Sequence, residues 1–195
     1  MTTGRMEAFS DGVIAILITV MLLELKVPHG TTWHALADET PVLLSYVLSF
    51  VYLGIYWNNH HHMLAATEHV SGAVLWANLH LLFWLSLVPF TTGWMGENHF
   101  ATTPVAAYGI TLLAAGVAYY VLQTLIVRSH GKDSAFRKAL GRDWKGKASP
   151  VLYVCGIGAA FTYRWLGVAV YVVVALMWLV PDRRMEQVVV AAHAT

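Results

Sequence analysis

Phe9-Ser10-Asp11-Gly12-Val13-Ile14-Ala15-Ile16-Leu17-Ile18-Thr19-Val20-Met21-Leu22-Leu23 is the stretch that decides the fold. Between Asp11 and Glu24 its single polar side chain is Thr19. A bilayer's hydrocarbon core is about 30 Å thick and takes roughly 20 mostly apolar residues per helix. The run from Phe9 to Val27 meets that length and is closed by Pro28, which cannot continue a helix. It reads as a membrane span and not as a cleavable signal peptide. No small-residue cleavage site follows it, and Glu24 and Lys26 come directly after the apolar run.

The rest of the chain has the same character. Of its 195 residues 57% are hydrophobic and 12% charged, with a mean hydropathy of +0.57. Soluble domains carry about 25% charge, so an ordinary soluble enzyme domain is excluded, and so is disorder. Five further apolar segments run over Pro41–Trp57 (extending to the histidines at 60 to 62), Val70–Trp94, Pro104–Val127, Ala148–Tyr163 and Trp165–Val180. The last two predict a tight hairpin, because Arg164 would be costly at mid-membrane in one long helix. Trp33, Trp57, Trp94, Trp144, Trp165 and Trp178 fall near predicted segment ends, where aromatic rings favour the interface. The expected architecture is an all-α integral membrane protein with six transmembrane helices in a single domain over residues 1–195.

Lysine and arginine placement orients such a protein. The connection after the fourth segment carries Arg128, Lys132, Arg137, Lys138, Arg142, Lys145 and Lys147; the tail carries Arg183 and Arg184, and the opening carries Arg5. With six spans and both termini cytoplasmic, ten of the twelve basic residues lie inside, Lys26 and Arg164 being the exceptions. The reading is a multi-pass protein of the cell (plasma) membrane, with the lipid bilayer as its surroundings. The net charge of +1 is not arranged as a basic stripe, so no nucleic-acid partner is implied. Ser134 to Trp144 reads either as a solvated positive loop or as a short amphipathic helix on the membrane surface. Cys155 is the lone cysteine, which excludes a disulfide framework or a cysteine metal site within one chain.

Three groups of residues carry information about function. Arg5, Phe9, Ser10 and Asp11 stand where the first helix meets the bilayer, an expensive place for charge unless it is paired or wet. Glu7 and Asp11 share one helix face and Arg5 and Phe9 another. The cluster reads as helix capping and packing, or as a vestibule or inter-helix lock. Gly12, Ile16, Thr19 and Leu23 lie on one helical stripe, which suits either a packed or lipid-facing surface or the lining of a pore. Asn58-Asn59-His60-His61-His62 invites a metal site, with Glu68 and His69 nearby. Adjacent helical positions splay by about 100°, however, so at most two of these histidines share an ion, and no metal is expected. Asn78 and His80 interrupt an apolar run and suit either a satisfied packing role or proton transfer. No phosphate loop or serine–histidine–aspartate arrangement occurs, so the chain is not expected to be an enzyme or to hold a cofactor.

Taken together, Arg5-x-x-x-Phe9-Ser10-Asp11, the apolar helix running to Leu23-Glu24-Leu25-Lys26-Val27-Pro28, then Trp57-x-x-His60-His61, Asn78 and Pro89-Phe90, resemble the signature of the TMEM175 potassium channel family. The motifs span about the first 90 residues. The resemblance implies a potassium channel in which four identical subunits, a homotetramer, surround a pore lined by the first helix. It implies a potassium channel fold without a carbonyl filter; the chain has no Thr-Val-Gly-Tyr-Gly stretch. Its constricting positions fall on Ile16, Thr19 and Leu23, the stripe already noted, with potassium as the permeant ion. Arg5, Phe9, Ser10 and Asp11 with Trp57, His61 or His80 would form the inter-helix network that holds the pore helix. The competing classes are a secondary transporter or proton-coupled carrier, disfavoured by the lack of internal repeats and of midplane carboxylates, and a membrane enzyme using a metal at His60 to His62.

Overall fold

The computed structural model describes residues 2–65, 67, 70–129 and 144–179, and every regular element among them is an α-helix. In chain order these are α1 (Thr3–Leu23), α2 (Trp33–Asp38), α3 (Thr40–Ala65), α4 (Gly72–Ser86), α5 (Val88–Glu97), α6 (Thr102–Ser129), α7 (Trp144–Thr162) and α8 (Arg164–Leu179). Four stretches are long and apolar enough to cross a membrane: α1, α3, α4 with α5, and α6. The apolar α8 has 16 described residues, about 24 Å at 1.5 Å per residue. Apolar lipid supplies little drive for helices to associate, so such a bundle is held by close packing and hydrogen bonds between helices.

The third apolar segment, expected as one helix from Val70 to Trp94, is broken at Leu87. Pro89 has no N–H to return to the carbonyl one turn back; the Leu87 N–H closes a tight turn on the Trp84 carbonyl at 3.2 Å, and α5 starts afresh with its proline in the first turn. The two halves then serve different neighbours: α4 packs chiefly on α6, and α5 on α3. α1 ends at Leu23, before Pro28 is reached, with the Glu24 and Leu25 N–H groups bonded back to Val20 and Leu22. Residues 33–38, outside the expected spans, wind into the short α2, capped by Thr32. Trp57 is not at a segment end: α3 runs on for eight residues beyond it, to Ala65.

The expected hairpin forms, but the break falls at Tyr163 and Arg164 opens α8; α7 and α8 pack against each other as an antiparallel pair. Its closeness depends on glycine. A Cβ at Gly167 would lie 2.9 Å from the Gly156 carbonyl oxygen and 2.8 Å from Ala160 Cβ, and one at Gly109 of α6 would collide with the Tyr171 hydroxyl. Tyr171 thereby reaches the centre of the bundle, where its hydroxyl donates to the Val105 carbonyl at 3.3 Å and its own carbonyl accepts from Tyr52 at 2.6 Å. Beside it, the Ser49 hydroxyl joins Thr92 at 2.6 Å and Tyr108 at 3.0 Å. Apart from Trp144, which opens α7, the stretch Ser134–Trp144 lies outside the described residues. So do Lys132, Arg137, Lys138, Arg142, Arg183 and Arg184.

Candidate functional site: the first helix and its supports

α1 has two faces. Met6, Ser10, Ile14, Leu17 and Met21, spaced by four, four, three and four residues, are buried against α3, α4 and α5. Gly12, Ile16, Thr19 and Leu23 point away from the subunit, with Ile16 61% and Leu23 82% exposed. The Thr19 hydroxyl donates to the Ile16 carbonyl at 2.9 Å. Its proton is thus committed within the helix, and the oxygen lone pairs are what the exposed face offers.

Two sets of contacts hold the opposite face. The outer set joins α1 to α3: the Trp57 indole N–H donates to Asp11 Oδ1 at 3.1 Å, and His61 Nδ1 meets Glu7 Oε1 at 2.7 Å. The Trp57 and His61 rings stack, centroids 6.5 Å apart and 26° from parallel. Both sequence spacings are four residues and the pairing order is reversed, as antiparallel helices require. The spacing of Glu7 and Asp11 against that of Trp57 and His61 was the signal from which these pairs were readable.

The buried set joins three helices. Ser10 Oγ donates to the Met6 carbonyl at 2.8 Å, and Asn78 Nδ2 of α4 donates to Ser10 Oγ at 2.9 Å. Asn78 Oδ1 lies 2.7 Å from His60 Nε2 of α3. Because the amide nitrogen is the donor to Ser10, Oδ1 is an acceptor, so His60 carries its proton on Nε2. Its Nδ1 is buried with no hydrogen-bond partner. His60 and Asn78 were singled out in the sequence, but not as partners of each other. His60 turns to Asn78 and His61 to Glu7, while the His61 and His62 rings lie 5.6 Å apart; among the described residues no group of three potential ligand side chains could hold a metal ion.

The remaining expected members sit elsewhere. His80 is exposed and accepts from the Trp84 indole N–H at 2.9 Å on its own helix. Arg5 is exposed and pairs with no carboxylate among the described residues, and Phe9 is half exposed.

At the far end of α1 the chain is tied to α5. Lys26 Nζ lies 2.7 Å from Glu97 Oε1, and this pairing holds the lysine's pKa above its ordinary 10.5. Glu24 Oε2 lies over Gly93, 3.2 Å from where a Cβ would stand. Partial burial, with the nearby Glu97 charge adding to it, raises the Glu24 pKa above its usual value. Glu24 and Glu97 border a cavity of about 470 Å³ between α1, α3 and α5.

The chain has relatives over most of its length. A sequence profile of the family described as endosomal/lysosomal potassium channel TMEM175 matches residues 5–89. A potassium channel of Chryseobacterium sp. (strain P1-3) is 51% identical over 187 residues, covering 96% of this chain and 97% of the relative. A potassium channel of Streptomyces collinus is 36% identical over 135 residues, 65% of this chain and 66% of that one. The fold resembles the crystal structure of a lysosomal potassium-selective channel TMEM175 homolog from Chamaesiphon minutus, with a TM-score of 0.75 and 29% identity over 91% of this chain and 96% of that one.

Proposed function

The chain belongs to the TMEM175 family and is a potassium channel; we propose that four copies surround a pore lined by the exposed stripe of α1. The observation that supports this most directly is the division of α1 into a buried face and an exposed one. The exposed face carries Ile16, Thr19 and Leu23 on one line.

In this reading four Ile16 side chains form the narrowest ring, and a narrow apolar ring stops ions by dewetting. Opening is then a small outward movement or rotation of the α1 helices. Beside that ring, four Thr19 oxygens, their protons turned inward to the Ile16 carbonyls, replace part of an ion's hydration shell. Potassium holds its water less tightly than sodium, so a ring that compensates incompletely penalises sodium more. Leu23 makes a second apolar constriction and Glu24 raises the local cation concentration at the mouth. The contacts of Ser10, Asp11 and Glu7 with α3 and α4 hold each α1 against its own subunit, so that movement of the α3–α4 frame carries the gate with it. In the membrane, α7 and α8 supply the fifth and sixth spans, both termini face the cytoplasm, and the protein resides in the cell membrane.

The test is ion flux from liposomes loaded with potassium or sodium and containing the purified protein. Potassium efflux well above sodium efflux is expected. Equal or absent flux overturns the pore, and stoichiometric proton coupling with saturation at low rate replaces it with a carrier.

A further inference from the structure

The cavity at the end of α1, bordered by α1, α3 and α5, has a volume of about 470 Å³. That is about three times a cavity that admits benzene, and it falls in the roughly 300–1,000 Å³ range of small-molecule sites. Phe90, Gly93, Trp94 and Glu97 recur at helical spacing along α5, so one face of that helix lines the space. The Phe90 and Trp94 rings lie side by side, centroids 6.2 Å apart and 31° from parallel, and Tyr46 of α3 adds a third ring. Gly93 sends no side chain into the space and lets the Glu24 carboxylate rest over the α5 backbone. Aromatic walls with a few polar groups are the composition of a ligand site.

The two carboxylates at the cavity differ. Glu97 is paired with Lys26. Glu24 has no hydrogen-bond or ion-pair partner among the described residues, although partial burial and the Glu97 charge both disfavour its ionised form. It is an anion with reduced hydration and no counter-charge. A second space, of about 200 Å³, shares Glu24 and Glu97 with the first and adds Asp38 and Glu39, four carboxylates against Lys26 and His99. Such a surplus concentrates cations beside the aromatic walls. A bound metal takes several oxygen or nitrogen ligands, and among the described residues no group of three could hold one. Aromatic faces suit instead a cation whose charge is spread over alkyl groups.

We propose that this cavity binds a small organic cation, a quaternary ammonium, with its alkyl groups against Tyr46, Phe90 and Trp94 and its charge toward Glu24. A neutral molecule would leave the carboxylate uncompensated, and an anion would meet two carboxylates. A potassium ion would fill little of the volume and give up strong hydration for ring faces. The occupant ties α5 to the end of α1, one residue past Leu23. Only the consequence of that tie for conduction rests on the channel reading; binding itself does not.

The experiment is a titration of the purified full-length protein with choline chloride, in a nonionic detergent at neutral pH, fixed potassium and fixed ionic strength. The midpoint of thermal unfolding, a quantity independent of conduction, is read against the neutral alcohol in which carbon replaces the choline nitrogen. A saturable rise is expected with choline, and the alcohol should bind about tenfold more weakly. Glu24→Gln should bring choline down to the alcohol's level and leave the alcohol's own response unchanged. Trp94→Leu should weaken choline about fivefold, and Trp94→Phe, which keeps a ring, should weaken it less. Should Trp94→Leu not fold, Phe90→Leu, at a side chain 65% exposed, takes its place. Lys26→Met frees the Glu97 carboxylate and should tighten choline severalfold. An alcohol as tight as choline, a choline response unmoved by Glu24→Gln, or no saturable response in the wild type overturns the proposal. Failure of ion flux with an intact choline response would overturn the channel mechanism alone.

Discussion

Asn78 of α4 donates its amide N–H to the Ser10 hydroxyl of α1 over 2.9 Å, deep in the subunit and on the far side of α1 from the exposed stripe. The same amide meets His60 of α3 at 2.7 Å, so one side chain sets the spacing of three helices. Replacing Asn78 by leucine keeps the volume near but leaves the Ser10 hydroxyl without its donor and the His60 N–H without an acceptor. Hydrogen bonds between membrane helices average only about 0.6 kcal/mol, yet a buried group left unpaired costs roughly 1–3 kcal/mol. Asn78→Leu should therefore destabilise the protein by about 2 kcal/mol, and Ser10→Ala by about 1 kcal/mol or less because the amide keeps His60. Unfolding of the purified variants measures both; equal losses would mean that the chain does not act through Asn78.

The outer tie gives a pH dependence with a defined sign. Lys26 has a pKa above 10.5 when paired with Glu97. Its contribution is complete below the unfolded value of 10.5 and is lost as pH climbs through the folded one. Lys26→Met should be slightly less stable than the wild type at neutral pH, as expected for an exposed pair, and should match it above that range. Glu24 has the opposite consequence. Its raised pKa means that the folded protein holds the proton more tightly than the unfolded chain, so the ionised carboxylate opposes folding at neutral pH and relief comes as pH falls toward 4.5. Glu24→Gln should be at least as stable as the wild type at pH 7, with the difference gone below pH 4.5. Midpoints of unfolding across that range check both signs.

The sequence carried more of α1 than of its surroundings, and the reason is physical. A helix in lipid writes its length as an uninterrupted apolar run, and α1 is such a run. Its partners were half written: Glu7 and Asp11 repeat at four residues, and so do Trp57 and His61, but pairing them needs the antiparallel register of α3. The Arg164 hairpin was readable because a buried charge has no cheap place. The break at Leu87 was signalled by Pro89 yet hidden by apolarity continuous across it. Asn78 could be seen as costly and not as a bridge, because its partners come from helices 18 and 68 residues away.

Ile16→Asn tests the gate. The side chain is 61% exposed on the subunit, so the substitution meets no intramolecular packing and should leave folding unchanged. In the proposed four-subunit pore, four amides in place of four sec-butyl groups would keep a narrow ring wet. Resting potassium flux in liposomes should rise severalfold or more over the wild type; an unchanged flux with intact thermal stability would move the constriction away from this position.

Thr19 is a sharper case, because its hydroxyl proton and its oxygen do different things. The proton closes on the Ile16 carbonyl at 2.9 Å within α1, a bond that serine at this position can also make. The oxygen is what an ion would meet. Thr19→Ala removes both and should lower the ratio of potassium to sodium flux, while total conductance is kept or raised by the wider ring. Thr19→Ser retains the oxygen and the inward bond and should retain most of the ratio. Reversal potentials under bi-ionic conditions read the ratio directly, without dependence on how much protein is reconstituted. If alanine and serine shift it equally, the methyl group and the ring's width set selectivity; if neither shifts it, the selective step lies at another level of α1.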